Sequence, residues 1–381
     1  MRKCAIVLLC ALLLLPVARA AEADVAAPSA ILMDAATGTV LFEKNAHERL
    51  APASVTKVMT LLLVMEALES GRISFDDRVI ASEAAAAKGG SQVYLEVGEA
   101  MTMDEMLKSV VVSSANDCAT ALAEYVAGSE AAFVEMMNRR AAELQMNDTH
   151  FVNCTGLDDE PEAAEHLTSA YDIAIMSREL LRHDRIRNYT TIWMDTVRNG
   201  RFGLSNTNKL VRFYEGTTGL KTGYTSAAGH CLAASAMRDG MELIAVVLHC
   251  GSSADRFESA KALLNYGFAN YALISCDVPQ ALGTVQVRLG EQRLFTPVLQ
   301  GSAPILVNKS ELAQVEKRVT MEQELTAPVE KGQQLGSLTI TVGDRTLAEI
   351  PIVSPDAIPK LTLWQLTRTL LQRLCMAQPS T

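Results

Sequence analysis

From Val55 to Leu68 the chain reads VTKVMTLLLVMEAL, with two charged side chains in fourteen. Pro52 precedes the run and Ser70-Gly71 follows it, so the spacing predicts one helix with Ser54 at or near its first turn. A helix this apolar has to be buried, and burial needs layers around it. Lys57 lies inside the buried stretch, on the same helical face as Ser54, because positions i and i+3 are neighbours.

The surroundings supply those layers. SAILMDA and TVLFEKN flank the turn Ala36-Thr37-Gly38 and predict a hairpin over 29–44. Helices are expected over 103–112, 115–127, 130–145 and 169–182. CLAASAMRDGMELIAVVLHC is read as a second hairpin, turning at Arg238-Asp239-Gly240, and 254–272 as a closing helix. Strands, then helices, then strands and a helix place the first and last strands in one antiparallel sheet. The expected fold class is α/β (α+β), a sheet flanked by helices. Beyond Cys276 the pattern changes to short alternating runs such as VQVRL, LGSLTITV and LAEIPIV, a small all-β domain.

The ends read differently. Arg2 and Lys3, an apolar stretch from Cys4 to Val17 and the small-x-small Ala18-Arg19-Ala20 form a secretory signal, with the mature chain starting near Ala21. From Ala357 to Thr381 there is no acid, and Leu363, Trp364, Leu366, Leu370, Leu371 and Leu374 recur at near-helical spacing. That predicts an amphipathic helix on a membrane surface. The expected organisation is 1–20 signal peptide, 21–275 main domain, 276–356 β domain and 357–381 membrane-associating helix. A formal net charge of −10 excludes nucleic acid as a main partner, since binding phosphate needs a basic face. The six cysteines after the signal (Cys118, Cys154, Cys231, Cys250, Cys276, Cys375) show no paired spacing and read as scattered thiols. No H-x-H or H-E-x-x-H occurs, and no metal or organic cofactor is expected; His166 and His230 read as structural.

A serine hydroxyl is a poor nucleophile until a base takes its proton, and a lysine serves only if burial or nearby charge lowers its pKa. S-x-x-K alone carries little. Here VVVSSANDCATA adds Ser114-Ala115-Asn116, and GTTGLKTGYTSAAGH adds Lys221-Thr222-Gly223. The three together, in that order on an exported chain, are specific.

On these motifs the sequence resembles the serine D-alanyl-D-alanine carboxypeptidases, the low-molecular-mass penicillin-binding proteins. APASVTK, SSAND, THFVNCTGLDDE with HLTSAYDIA, NTNKL, GLKTGYTSAAG and LLNYGF all look like family landmarks, covering most of 28–272. The resemblance implies a fold like that of the serine β-lactamases and penicillin-binding proteins. It implies Ser54 as nucleophile, Lys57 as its base and Ser114 as proton relay to the leaving amine. Asn116, Lys221, Thr222, Gly223 and Tyr224 would hold the substrate, with the N–H groups of Ser54 and Tyr224 forming an oxyanion hole. Arg256, in SADRFES, would reach the substrate carboxylate. The implied substrate is a peptidoglycan stem peptide ending in D-Ala-D-Ala, the implied inhibitors are β-lactams, and the site of action is the outer face of the cytoplasmic membrane. Thr218 departs from the aspartate of many members, which touches local loop structure more than chemistry.

Three rivals remain open at this level. Endopeptidase or transpeptidase action would share the acyl-enzyme. A serine β-lactamase would need a deacylating glutamate, for which ELQMN at 143–147 is a near match. A non-catalytic binding module would have lost part of the motif set, and here the set is entire.

Overall fold

The computed structural model describes residues 23–376 apart from 160, 279–281 and 302; the signal segment lies outside the described residues. A five-stranded antiparallel sheet organises the larger part. Its strands are β1 (Ser29–Asp34), β2 (Val40–Lys44), β3 (Thr217–Thr225), β4 (Gly229–Arg238) and β5 (Met241–Cys250), in the order β2-β1-β5-β4-β3. First and last strands pair, as expected: Ala30 sits opposite Val247 and Leu32 opposite Ala245.

Alternation along the inner strands splits the core in two. Ile31, Met33, Ala233, Ile244 and Val246 face one side, and Ala30, Leu32, Leu232, Leu243 and Val247 the other. The first side is covered by α1 (Lys57–Glu69), α2 (Met103–Val112), α3 (Asn116–Ala127), α4 (Glu130–Glu143) and α5 (Ala170–Leu181). α1 runs through the middle of this layer and buries eleven of its thirteen residues, which answers its all-round apolar sequence. α6 (Ser253–Asn270) covers the second side, against β4 and β5.

Caps fix the helix starts. Thr102 and Glu105 form a reciprocal capping box on α2. Ser129, Ser169 and Ser252 cap α4, α5 and α6 through their hydroxyls. α1 has no side-chain cap; the chain enters it through a 3-10 turn, Ala53–Thr56. Ser54 therefore stands on that turn, just ahead of the helix proper. α4 stops two residues before its expected end, where Gln145 takes φ of 58°. Two short antiparallel strand pairs, 78–80 with 100–102 and 194–197 with 202–205, have no counterpart in the sequence reading. Each is three or four residues long, too short for alternation to register.

Beyond residue 276 the regular elements among the described residues are strands, with one 3-10 turn at Lys309–Gln314, until the last helix. A four-stranded sheet contains β6 (Val315–Met321), β7 (Gln334–Val342) and β8 (Arg345–Val353), and a three-stranded sheet packs nearby. Val329 and Ile358 bridge, and Gly290 bridges Lys360, so the chain stays with this region until α7 (Leu363–Met376) begins. On α7 Leu363, Trp364 and Leu371 are exposed. No helix among the described residues is long and apolar enough to cross a membrane.

Candidate active site

The first and third motifs meet where the 3-10 turn packs on β3, and the second lies close enough that the charge of its neighbour Asp117 is felt at Lys57. Lys57 Nζ donates to Ser54 Oγ at 2.9 Å and to the Thr155 carbonyl at 2.7 Å. Lys57 is fully buried, and that burial pulls its pKa down to about 7, against a smaller opposing pull from Cys154 and Asp117. The Cys154 thiol is itself held well above its usual pKa by burial, so at neutral pH the opposing charge is that of Asp117. An amine half neutral near pH 7 is a competent base for a serine 2.9 Å away.

The turn is packed into place by glycines. A Cβ at Gly156 would stand 1.8 Å from the Ala53 carbonyl oxygen, and Gly156 has φ of 80°. A Cβ at Gly223 would stand 2.6 Å from the Pro52 oxygen and 3.1 Å from the Ser54 nitrogen. β3 is an edge strand, so its Lys221-Thr222-Gly223 segment lies directly against the Ser54 turn with one strand edge open. Thr56 closes the turn from below: its hydroxyl donates to the Ala53 carbonyl and contacts His166 Nε2 at 2.7 Å. His166 Nδ1 accepts from the Val152 N–H, which puts the ring proton on Nε2. Burial, aided by His150 and Lys57, lowers the His166 pKa to about 4, so this ring is neutral and structural.

Ser114 occupies the turn between α2 and α3 with φ of 63°, a left-handed conformation that costs a serine free energy. Its Oγ is buried and has no hydrogen-bond partner among the described residues; the same holds for Asn116 Oδ1. The Asn116 amide is fixed by its other end, Nδ2 donating to the Gly89 carbonyl at 2.7 Å, and its backbone N–H donates to Ser91 O. Leaving such atoms unpaired costs roughly 1–3 kcal/mol each, the signature of groups set for something other than the resting fold.

Lys221 is buried, donates to the Thr222 carbonyl, and is held well below its usual pKa by burial and then by the charges of Lys57 and Arg256. Thr222 Oγ1 donates to Thr207 Oγ1 at 2.6 Å. The Tyr224 ring is exposed and stacks on His230 at 4.4 Å. Arg256 is buried behind β3, where Nη1 donates to the carbonyls of Gly223 and Cys231. Its charge is thus felt at Lys221 from the rear of the strand. Thr218 bonds with Ser235 Oγ and Glu242 Oε1, away from the motif residues. Glu143 pairs with Arg140, which also pairs with Glu66. Glu66 is nine residues beyond Lys57 on α1, about 13 Å along the helix, so ELQMN is remote from Ser54.

Sequence reasoning placed every motif residue near the cleft but missed Thr155, Gly156 and Asp117. Asp117 is fully buried and its carboxylate accepts the N–H groups of Val93, Leu95 and Cys118, fixing the loop beside Asn116. Thr155-Gly156 stood inside the landmark THFVNCTGLDDE, and a lone glycine in that landmark was the available signal. Among the described residues no group of His, Cys, Asp and Glu is arranged to hold a metal ion.

The chain resembles known proteins along most of its length. A family described as D-alanyl-D-alanine carboxypeptidase matches residues 17–252, and one described as penicillin-binding protein 5, C-terminal domain, matches 277–360. The D-alanyl-D-alanine carboxypeptidase DacF of Bacillus subtilis is 42% identical over 347 residues, which are 90% of this chain and 88% of that protein. The crystal structure of penicillin-binding protein 5 from Haemophilus influenzae superposes with a TM-score of 0.72 at 28% identity, covering 88% of this chain and 98% of that one. Penicillin-binding protein D2 of Listeria monocytogenes, solved in its ampicillin-bound form, aligns at 29% identity and a TM-score of 0.59, covering 65% of this chain and 99% of that one.

Proposed function

The chain belongs to the D-alanyl-D-alanine carboxypeptidase family, and from that premise we propose that it trims the terminal D-alanine from peptidoglycan stem peptides through an acyl-enzyme on Ser54. Neutral Lys57 takes the Ser54 proton as Oγ attacks the carbonyl between the two D-alanines. The N–H groups of Ser54 and Tyr224 hold the oxyanion, and Ser114 passes a proton to the departing amine. Water then attacks the acyl-enzyme and frees the shortened peptide. Asn116 and Thr222 hold the substrate, whose backbone lies along the open edge of β3 at Gly223. The substrate carboxylate supplies the negative charge that Lys221 lacks. Arg256 reinforces that attraction through its field at the back of the strand.

The observation that carries this reading is the 2.9 Å contact between Ser54 Oγ and a fully buried lysine with a pKa of about 7. β-Lactams, as analogues of the same C-terminal dipeptide, would acylate Ser54. The signal sequence and the exposed Leu363, Trp364 and Leu371 of α7 support an exported enzyme held at a membrane surface. The test is free D-alanine released from a pentapeptide ending in D-Ala-D-Ala, with wild type and Ser54→Ala compared. Release by the wild type alone establishes reaction and nucleophile. Penicillin labelling without D-alanine release would move the reading to a transpeptidase. Neither activity would defeat it.

A further inference from the structure

Glu130 is the first residue of α4, a common place for a carboxylate because the helix N-terminus is electropositive. Its own carboxylate is engaged elsewhere. Oε1 accepts the backbone N–H of Cys154 and the Cys154 thiol proton, both at 3.2 Å. Oε2 pairs with Lys88 Nζ at 2.7 Å. Burial pulls the Glu130 pKa up, but the hydrogen bond and charge of Lys88 outweigh it and hold the group below its usual value, so it is ionised.

Each of those two contacts ends one residue from a carbonyl that holds a motif side chain. Cys154 precedes Thr155, whose carbonyl accepts from Lys57 Nζ at 2.7 Å. Lys88 precedes Gly89, whose carbonyl accepts from Asn116 Nδ2 at 2.7 Å. The two loops are separated by more than sixty positions of sequence, and this carboxylate ties them together.

We propose that Glu130 is a positioning residue for acylation: it fixes the two loops whose carbonyls orient Lys57 and Asn116. The proposal rests on the acyl-enzyme reading above. Without the carboxylate the Thr155 carbonyl loses its anchor at Cys154, and the loop at Gly89 loses its anchor at Lys88. Water then reaches Lys57 Nζ, and its amine returns toward the ordinary lysine value. A pair of purely structural worth behaves otherwise. With side chains 28% and 20% exposed, an ion pair of that kind adds little to stability and leaves the pH dependence of the reaction alone.

The experiment compares wild type with Glu130→Ala, Glu130→Gln and Lys88→Met in the full chain. It follows acylation by a fluorescent penicillin from about pH 5 to about pH 10, with kcat and KM for D-alanine release and Tm alongside. Glu130→Ala is expected to slow acylation roughly 10- to 100-fold and to move the acid limb of its pH profile up by about one unit. Glu130→Gln keeps an acceptor for Cys154 but no charge for Lys88. It is expected to leave the limb in place and to raise KM about 3- to 10-fold, and Lys88→Met should match it. Should Glu130→Ala fail to fold, the matched KM effect of the other two carries the test. Variants with wild-type rates, KM and pH profile, whatever their Tm, would overturn the proposal. A wild type that takes up no penicillin would instead overturn the acyl-enzyme reading, and this proposal with it.

Discussion

The large region and the C-terminal β region are both built on antiparallel sheets, yet they treat polar side chains in opposite ways. Around the sheet of the first, Lys57, Asp117, Lys221 and Arg256 are buried, and Ser114 Oγ and Asn116 Oδ1 are buried without partners among the described residues. Among the described residues beyond 276 the single buried polar side chain is Ser354. The ion pairs there, Arg288–Glu324 and Arg345–Glu311, lie on the surface. Its two small cores are apolar, centred on Val285, Val287 and Leu335 in one and on Leu338 and Ile340 in the other. The contrast teaches that the larger region gives up stability to keep reactive groups dry, while the smaller one carries no such load.

The sharpest way to break that contrast is Lys57→Met. Activity is expected to fall by a factor on the order of 10³ or more, because Ser54 would lose its proposed base. Stability should rise. A folded pKa of about 7 against 10.5 unfolded means the buried amine costs on the order of 5 kcal/mol below pH 7, and the cost fades as pH climbs toward 10.5. Orphaning the Thr155 carbonyl returns about 1–3 kcal/mol of that. Denaturant titration at pH 6 should show a net gain of about 2–4 kcal/mol; a loss would mean that burial of Lys57 is not the burden described.

Leu338→Ala probes the other side. Leu338 is fully buried, and truncating it should destabilise the β region by about 2–5 kcal/mol. D-Alanine release at low temperature should stay within about twofold of wild type, since Leu338 belongs to a core with no residue of the cleft. A matching loss of activity would show that the two regions are energetically one.

A third test concerns His166. Its folded pKa of about 4 lies below the ordinary 6.5, so the unfolded chain binds the extra proton. Stability from this group is present above pH 6.5 and is lost as pH falls toward 4, by a total on the order of 3 kcal/mol. His166→Gln should flatten the slope of Tm against pH in that window. An unchanged slope would place the acid sensitivity elsewhere.

Much of this was legible in the chain itself. The all-round apolar run after Ser54 required a central buried helix, and α1 is one. Alternation in 29–44 and 231–250 gave strands that could pair, and they do. The motif spacings named the residues of the cleft because side-chain chemistry and local helix geometry are written in short stretches. Other features involve atoms far apart in sequence, so no window of residues contains them. The 3-10 entry at Ser54 depends on Gly156 lying against Ala53, about a hundred positions away. The orientation of Arg256 depends on which face of β3 and β4 α6 covers. The tie from Glu130 to Cys154 and Lys88 joins three segments. The sequence alone determined the type and order of the long elements and the chemical identity of the serine and lysine proposed as nucleophile and base. Tertiary structure alone decided how dry Lys57 is, which carbonyls hold it and what charge it bears, because desolvation and field are sums over everything the fold brings near.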